Sequence, residues 1–101
     1  MQLFKNLFGP KTDYKDLIKK GGQIIDVRTP GEYQSGHIRG SVNIPLQQLS
    51  GKTSKIKKDK PVITCCASGM RSSSAKGILL SKGFKEVHNG GGWRNLQSKL
   101  S

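Results

Sequence analysis

Short apolar runs alternate along the chain with segments whose apolar residues recur at helical spacing. The apolar runs predict strands at residues 23–27, 41–44, 61–65 and 86–88. The periodic segments predict helices at residues 13–20, from 29 to about 35, 72–82 and 93–100, with a weak helix and a lysine-rich connection at 46–58. Strands separated by helices pair in parallel through right-handed crossovers. The pattern therefore predicts an α/β domain with a central parallel sheet and helices on both of its faces.

Local signals indicate where two of these helices begin and end. The first helix is followed by Gly21 and Gly22, which are typical of a helix stop. At the second helix, Thr29 is a suitable N-cap, Pro30 fits the first helical position, and Glu32 can reach back to the cap. These residues predict a capping box at the start of the second helix.

The chain length and the residue composition exclude several classes of protein. With 101 residues the chain has the length of one domain, and we assign 1–101 to it, with 1–11 as an N-terminal extension. No apolar run approaches the ~20 residues that span a bilayer, and the first residues do not read as a secretory signal. We therefore expect a cytoplasmic protein that has no membrane partner.

The net charge of +12 raises the question of an anionic partner. The densest basic stretch, Lys52–60, contains five lysines and no aromatic residue that could stack on a base. This stretch predicts a solvated surface or a positive field that attracts small anions and acidic partners, and no sequence-specific nucleic-acid binding.

The only two cysteines, Cys65 and Cys66, are adjacent at the end of a predicted strand. Neighbouring residues close a disulfide poorly, so free thiols in a reducing compartment are expected. The sequence shows no second pair of ligands at zinc spacing, and we predict no metal site. Because side chains alternate along a strand, one thiol should lie in the core while the other heads the following loop.

The loop after the third strand has the features of an anion-binding thiol site. Ligands of parallel sheets bind at the carboxyl ends of the strands, and this loop leads into the N-terminus of a helix. Backbone N–H groups there stabilise a thiolate and can cradle an anion, while Arg71 offers a planar fork to an oxyanion. At the end of the first strand, Asp26 and Arg28 can pair with each other across the loop bases.

Several ordered segments resemble motifs of the rhodanese family. Residues 66–72 are similar to its C-x-x-G-x-R loop followed by a small residue, and residues 26–33 to its D-V-R-x-x-x-E-[YF] segment. Residues 36–45 resemble its G-H-I-x-G-[AS]-x-N-[IL]-P segment, and residues 91–93 its glycine-rich turn. The chain departs from the family at Cys65, where relatives often carry an aromatic residue or histidine, and at Trp93, which follows the glycines at once.

The resemblance implies a single doubly wound rhodanese-like domain and a sulfurtransferase. Cys66 would take a sulfane sulfur from thiosulfate or a persulfide, hold it as a persulfide, and pass it to a thiol or cyanide, with no cofactor. A thioredoxin-like protein is among the acceptors implied. Asp26 and Arg28 would support the site, and the donor would be bound by Ala67, Ser68, Gly69, Met70, Arg71 and Ser72.

Two other functions fit parts of the same sequence. Counted from Cys65, the loop spells C-x5-R-S, the spacing of a phosphatase or arsenate reductase on the same fold. Phosphatase loops usually place glycine three residues after the nucleophile, and Gly69 stands at that distance from Cys66 rather than from Cys65. A non-catalytic rhodanese-like binding module is the third alternative, against which the intact loop cysteine and arginine argue.

Overall fold

Four parallel strands form the centre of the fold in a computed structural model that describes residues 11–101. The strands lie in the order β2-β1-β3-β4, and every adjacent pair is parallel. Their bounds are β1 Gln23–Asp26, β2 Val42–Asn43, β3 Val62–Cys66 and β4 Val87–Gly92. The predicted parallel α/β sheet is thereby confirmed, whereas nearly all of the expected extension at 1–11 lies outside the described residues.

Helices cover both faces of this sheet. They are α1 Tyr14–Lys19, α2 Pro30–Gln34, α3 Met70–Ser81 and α4 Trp93–Leu100, with 3₁₀ turns at Leu46–Gly51 and Thr53–Lys55. One buried cluster joins Leu17 of α1 and Leu96 of α4 to the sheet, and the other joins Leu79 of α3 and Leu49 of the first 3₁₀ turn. Across residues 11–101, no helix combines the length and the apolar character that a membrane crossing needs.

The predicted capping box at the start of α2 is present. The Thr29 hydroxyl accepts from the backbone N–H of Glu32 at 3.3 Å, and Glu32 Oε1 accepts from the N–H of Thr29 at 3.0 Å. Pro30 occupies the first turn, where its missing N–H leaves no bond unmade. This local arrangement fixes the position of the Glu32 carboxylate at the N-terminus of α2.

Most element boundaries lie within one residue of the sequence prediction, and the three larger differences each have a local cause. α3 begins at Met70 rather than 72, because Gly69 adopts a φ of 109° as its N-cap. β4 continues through the glycines to pair Gly92 with Cys66 across an irregularity in the register, so it is longer than predicted. The weak helix predicted within 46–58 forms two short 3₁₀ turns instead.

Candidate active site

Cys66 lies at the carboxyl end of β3, beneath the loop that leads into α3. The residue is fully buried, and its Sγ accepts hydrogen bonds from the N–H groups of Gly69 at 2.9 Å and Ser72 at 3.4 Å. The positive φ of Gly69 turns its amide toward the sulfur, and a side chain would be strained at that φ. The sulfur therefore faces converging amides at the N-terminus of a 12-residue helix.

The two neighbouring cysteines differ in their surroundings, as strand alternation predicts. Cys65 packs in the cluster with α1 and α4, and Cys66 in the cluster with α3, so the prediction of opposite faces is confirmed. Burial, together with the charge of Asp26, raises the pKa of the Cys65 thiol to about 12. Burial also raises the pKa of Cys66, but hydrogen bonds from Ser72 and from the loop amides outweigh it, so that pKa lies below its ordinary value. The fold thus favours the thiolate form at Cys66 alone.

Asn89, which the sequence analysis missed, holds the loop from within β4. Its Oδ1 accepts from the Ser72 hydroxyl at 2.6 Å and from the N–H of Gly91 at 2.9 Å. The Ser72 oxygen in turn lies 3.5 Å from Cys66 Sγ and 3.0 Å from the Gly69 carbonyl. The available signal was its place just beyond the strand predicted at 86–88, at the same sheet edge as the cysteines. Asn89 does not bond to the sulfur itself, and it positions Ser72, which does.

The glycines of β4 let its backbone approach the core and the loop closely. A Cβ at Gly90 would lie 2.9 Å from side-chain atoms of Ile63 and Leu96 and from the Thr64 carbonyl. A Cβ at Gly92 would lie 2.9 Å from the carbonyl oxygen of Ala67. Any side chain at these positions would push β4 away from β3 and displace the loop over Cys66.

Arg71 is engaged by a carboxylate in this structure. Its two terminal nitrogens donate to Glu32 Oε1 at 2.7 Å and to Oε2 at 2.9 Å, and both side chains are about one-third exposed. The hydrogen bond from Arg71, followed by the one from the Thr29 N–H, lowers the pKa of Glu32 to about 2. The fork that the sequence analysis assigned to a substrate oxyanion is thus occupied by Glu32, and a contact of Arg71 with substrate stays a prediction.

The other loop residues assigned to donor binding differ in exposure. Ala67 and Ser68 are exposed above the sulfur, whereas Ser72 is buried beside it. Met70 is 81% exposed at the start of α3. The structure therefore brings the backbone of residues 67–69 and the Ser72 side chain to Cys66, and it directs Met70 to solvent.

Asp26 and Arg28 form a buried ion pair at the end of β1. The guanidinium donates to the carboxylate at 2.7 and 2.9 Å and also to the Gly36 carbonyl at 2.8 Å, and it stacks 4.7 Å from the Trp93 ring centre. No hydrogen bond of the described residues joins either member to the loop at 67–72. The pair shapes the sheet edge beside Cys65, and Trp93, one of the departures from the family, covers it.

A small cavity of about 180 Å³ lies at the carboxyl edge of the sheet, next to Arg71. It is lined by Val27, Thr29, Pro45, Leu46, Gln47 and Arg71. A larger groove of about 550 Å³ lies against α1 and α4, away from the loop thiol. Within residues 11–101, no three His, Cys, Asp or Glu side chains group as metal ligands would.

Sequence comparisons place this geometry among known proteins. The sequence pattern of the family described as Rhodanese-like domain matches residues 11–99. The uncharacterized protein YqhL of Bacillus subtilis is 42% identical over 79 residues, covering 77% of this chain but only 63% of YqhL. The thiosulfate sulfurtransferase PspE of Escherichia coli is 38% identical over 74 residues, which are 71% of each protein. The chain therefore spans less than two-thirds of YqhL and somewhat more of PspE.

Solved structures with the same fold include rhodaneses. A rhodanese with anions from E. coli superimposes with a TM-score of 0.69 at 36% identity, over 73% of this chain and 89% of that one. A rhodanese-related protein from Thermoplasma volcanium has a TM-score of 0.73 at 32% identity, over 88% of this chain and 93% of that one.

Proposed function

The chain belongs to the rhodanese-like family, and from that premise we propose that it is a sulfurtransferase that carries the transferred sulfur on Cys66. The observation that carries the proposal is the position of Cys66 Sγ, which accepts two backbone N–H groups at the carboxyl edge of the sheet. The names of relatives such as PspE support the same chemistry. The donor is thiosulfate or a persulfide, and the acceptor is a thiol or cyanide.

The reaction proceeds by two displacements at sulfur. The Cys66 thiolate attacks the outer sulfur of thiosulfate, a new S–S bond forms, and the old S–S bond breaks with its electron pair leaving on sulfite. The product is a Cys66 persulfide anion, so the charge is conserved. An acceptor thiolate or cyanide then attacks the outer sulfur and releases the Cys66 thiolate. The enzyme thus alternates between two covalent states, which is covalent catalysis of the ping-pong type.

The loop around Cys66 supplies the electrostatic part of this chemistry. Preorganised N–H donors stabilise negative charge on the thiolate and on the persulfide that replaces it. An added sulfur lengthens the side chain by about 2 Å. Because Cys66 is fully buried, the segment at residues 67–69 must move outward to admit this atom. Ala67 and Ser68, which are small and exposed, present little bulk to an approaching donor.

The phosphatase alternative fits this geometry less well. Its C-x5-R spacing counts from Cys65, whose thiol lies on the opposite face of the sheet and whose pKa is raised to about 12. A protonated thiol is a poor nucleophile at neutral pH. A non-catalytic binding module would not need the hydrogen bonds that stabilise a thiolate at Cys66.

Kinetics with two substrates test the proposed function. Initial rates measured over a grid of thiosulfate and cyanide concentrations should give parallel double-reciprocal lines, as a covalent sulfur-enzyme requires. p-Nitrophenyl phosphate should not be hydrolysed under the same conditions. Hydrolysis of this ester without sulfur transfer from thiosulfate or a persulfide would favour the phosphatase instead, and no turnover of either kind would favour the binding module.

The physiological acceptor and setting are also part of the proposal. Cys65 and Cys66 are free thiols in the structure and cannot readily pair with each other. A thiol acceptor such as a thioredoxin-like protein, in the reducing cytoplasm, suits a sulfur carrier whose two cysteines stay unpaired.

A further inference from the structure

The ion pair between Glu32 and Arg71 joins the start of α2 to the first turn of α3, next to the loop that holds Cys66, and has no part in the displacement steps. Arg71 is the one charged residue in the segment from Cys66 to Ser72. Both of its terminal nitrogens donate to the Glu32 carboxylate, and Arg71 also lines the small cavity at the sheet edge. The positive charge of Arg71 is therefore already offset by Glu32 before an anionic donor binds.

We propose that Glu32 determines the class of donor by holding Arg71 in this pair, so that the site favours sulfane donors with one negative charge over dianionic thiosulfate. The inference rests on the proposed sulfurtransferase function and adds the substrate class. Glu32 is a specificity-determining residue here and takes no part in bond making.

The position of Glu32 does not depend on Arg71. Its Oε1 also accepts from the backbone N–H of Thr29 at 3.0 Å and lies 3.1 Å from the Thr29 hydroxyl, both within the capping box. If a donor drew Arg71 away, the carboxylate would stay at the start of α2 and would repel a second negative charge. A monoanionic donor meets less of this repulsion and does not need the guanidinium to offset two charges.

The expected effect is modest because the pair is partly exposed. Exposed ion pairs are screened by water, and their loss changes equilibria by about two- to fivefold. We therefore expect thiosulfate to be used with a raised KM rather than to be excluded.

The test compares two donors that transfer the same atom. Thiosulfate carries two negative charges, and methanethiosulfonate carries one. Glu32→Gln removes the charge of Glu32 while glutamine can still complete the capping box. In this variant the ratio of kcat/KM for thiosulfate to kcat/KM for methanethiosulfonate should rise about two- to fivefold, mainly through the thiosulfate KM. Asp16→Asn, which removes one charge and one exposed ion pair from α1, should leave the ratio unchanged.

A double-mutant cycle assigns the effect to the pair. Adding Glu32→Gln to Arg71→Ala should give a smaller gain than adding it to the wild type. An unchanged or lower ratio in Glu32→Gln, or the same gain in both backgrounds, would overturn the inference while leaving sulfur transfer intact. If the wild-type protein takes sulfur from neither donor, the proposed function itself fails, and the two failures are thereby distinguished.

Discussion

Removing the Asn89 side chain should loosen the loop over Cys66 and make its thiol less acidic. Asn89→Ala deletes the oxygen that accepts from the Ser72 hydroxyl at 2.6 Å and from the Gly91 N–H at 2.9 Å. The Ser72 hydroxyl, whose one proton goes to Asn89 in the wild type, keeps the Gly69 carbonyl as an acceptor at 3.0 Å, while the loop that presents the Gly69 and Ser72 N–H groups to Cys66 Sγ loses its tie to β4. Because the hydrogen bonds to sulfur hold the pKa of Cys66 below its ordinary value, weakening them raises that pKa.

The hydrogen bonds set the size of the effect. Each neutral hydrogen bond contributes about 0.5–1.5 kcal/mol net, so the two lost bonds should lower the free energy of unfolding by about 1–3 kcal/mol. If about 1 kcal/mol of this loss falls on the thiolate, its population at neutral pH drops about fivefold.

The assay is the rate of iodoacetamide alkylation at Cys66 as a function of pH, followed by peptide mass. Because the thiolate is the reacting form, the rate rises as pH rises through the pKa of Cys66. The wild-type midpoint should lie below that of a free thiol, and the Asn89→Ala midpoint should move to higher pH. Asn43→Ala is the matched control, since the Asn43 side chain donates to the carbonyls of Asp26 and Arg28 rather than to the loop at 67–72.

Asn43→Ala should lower stability by a comparable amount and leave the alkylation profile of Cys66 unchanged. An Asn89→Ala protein that is folded, less stable and identical to wild type in this profile would refute the reasoning. In that case Ser72 and Gly69 would hold the sulfur without help from β4.

Three further predictions concern stability and charge. Gly90→Ala should lower the free energy of unfolding in urea by about 1–3 kcal/mol, because its Cβ would meet three heavy atoms at 2.9 Å. Gly77→Ala, on the open surface of α3, should be neutral or stabilising, and equal effects of the two variants would contradict the close approach of β4. Asp26→Asn should lower the free energy of unfolding by about 3–5 kcal/mol in the same assay, because it leaves Arg28 buried without its counterion. A decrease below about 1 kcal/mol would show that the pair does not stabilise the fold. Oligonucleotides titrated at ~150 mM salt should bind the lysines at 52–60 weakly and without sequence preference, and nanomolar selective binding would contradict this.

The main features of the fold could be predicted because they rest on local patterns. Strand alternation placed Cys65 and Cys66 on opposite faces, since successive side chains of a strand point to opposite sides. The capping box of α2 was predicted from residues only three positions apart. The succession of strands and helices along the chain followed from the same short-range signals.

The contacts that complete the site could not be predicted in the same way. Glu32 and Arg71 are 39 residues apart in sequence, and Ser72 and Asn89 are 17 apart. No periodicity relates such pairs, because they meet only once the sheet has brought the ends of β1 and β3 beside Asn89 of β4. The sequence analysis therefore assigned Arg71 to substrate without its partner and gave Asn89 no role.

Cys66 as the sulfur carrier is the central claim, and intact mass spectrometry tests it directly. Wild-type protein and the matched variants Cys66→Ser and Cys65→Ser are incubated with thiosulfate, weighed, treated with a thiol and weighed again. We predict that wild type and Cys65→Ser gain the mass of one sulfur atom and lose it to the thiol, whereas Cys66→Ser gains none. If Cys65→Ser is poorly folded, Cys65→Ala takes its place, because it adds no polar atom to the core. Sulfur uptake by Cys66→Ser, together with its loss in a folded Cys65 variant, would contradict the account.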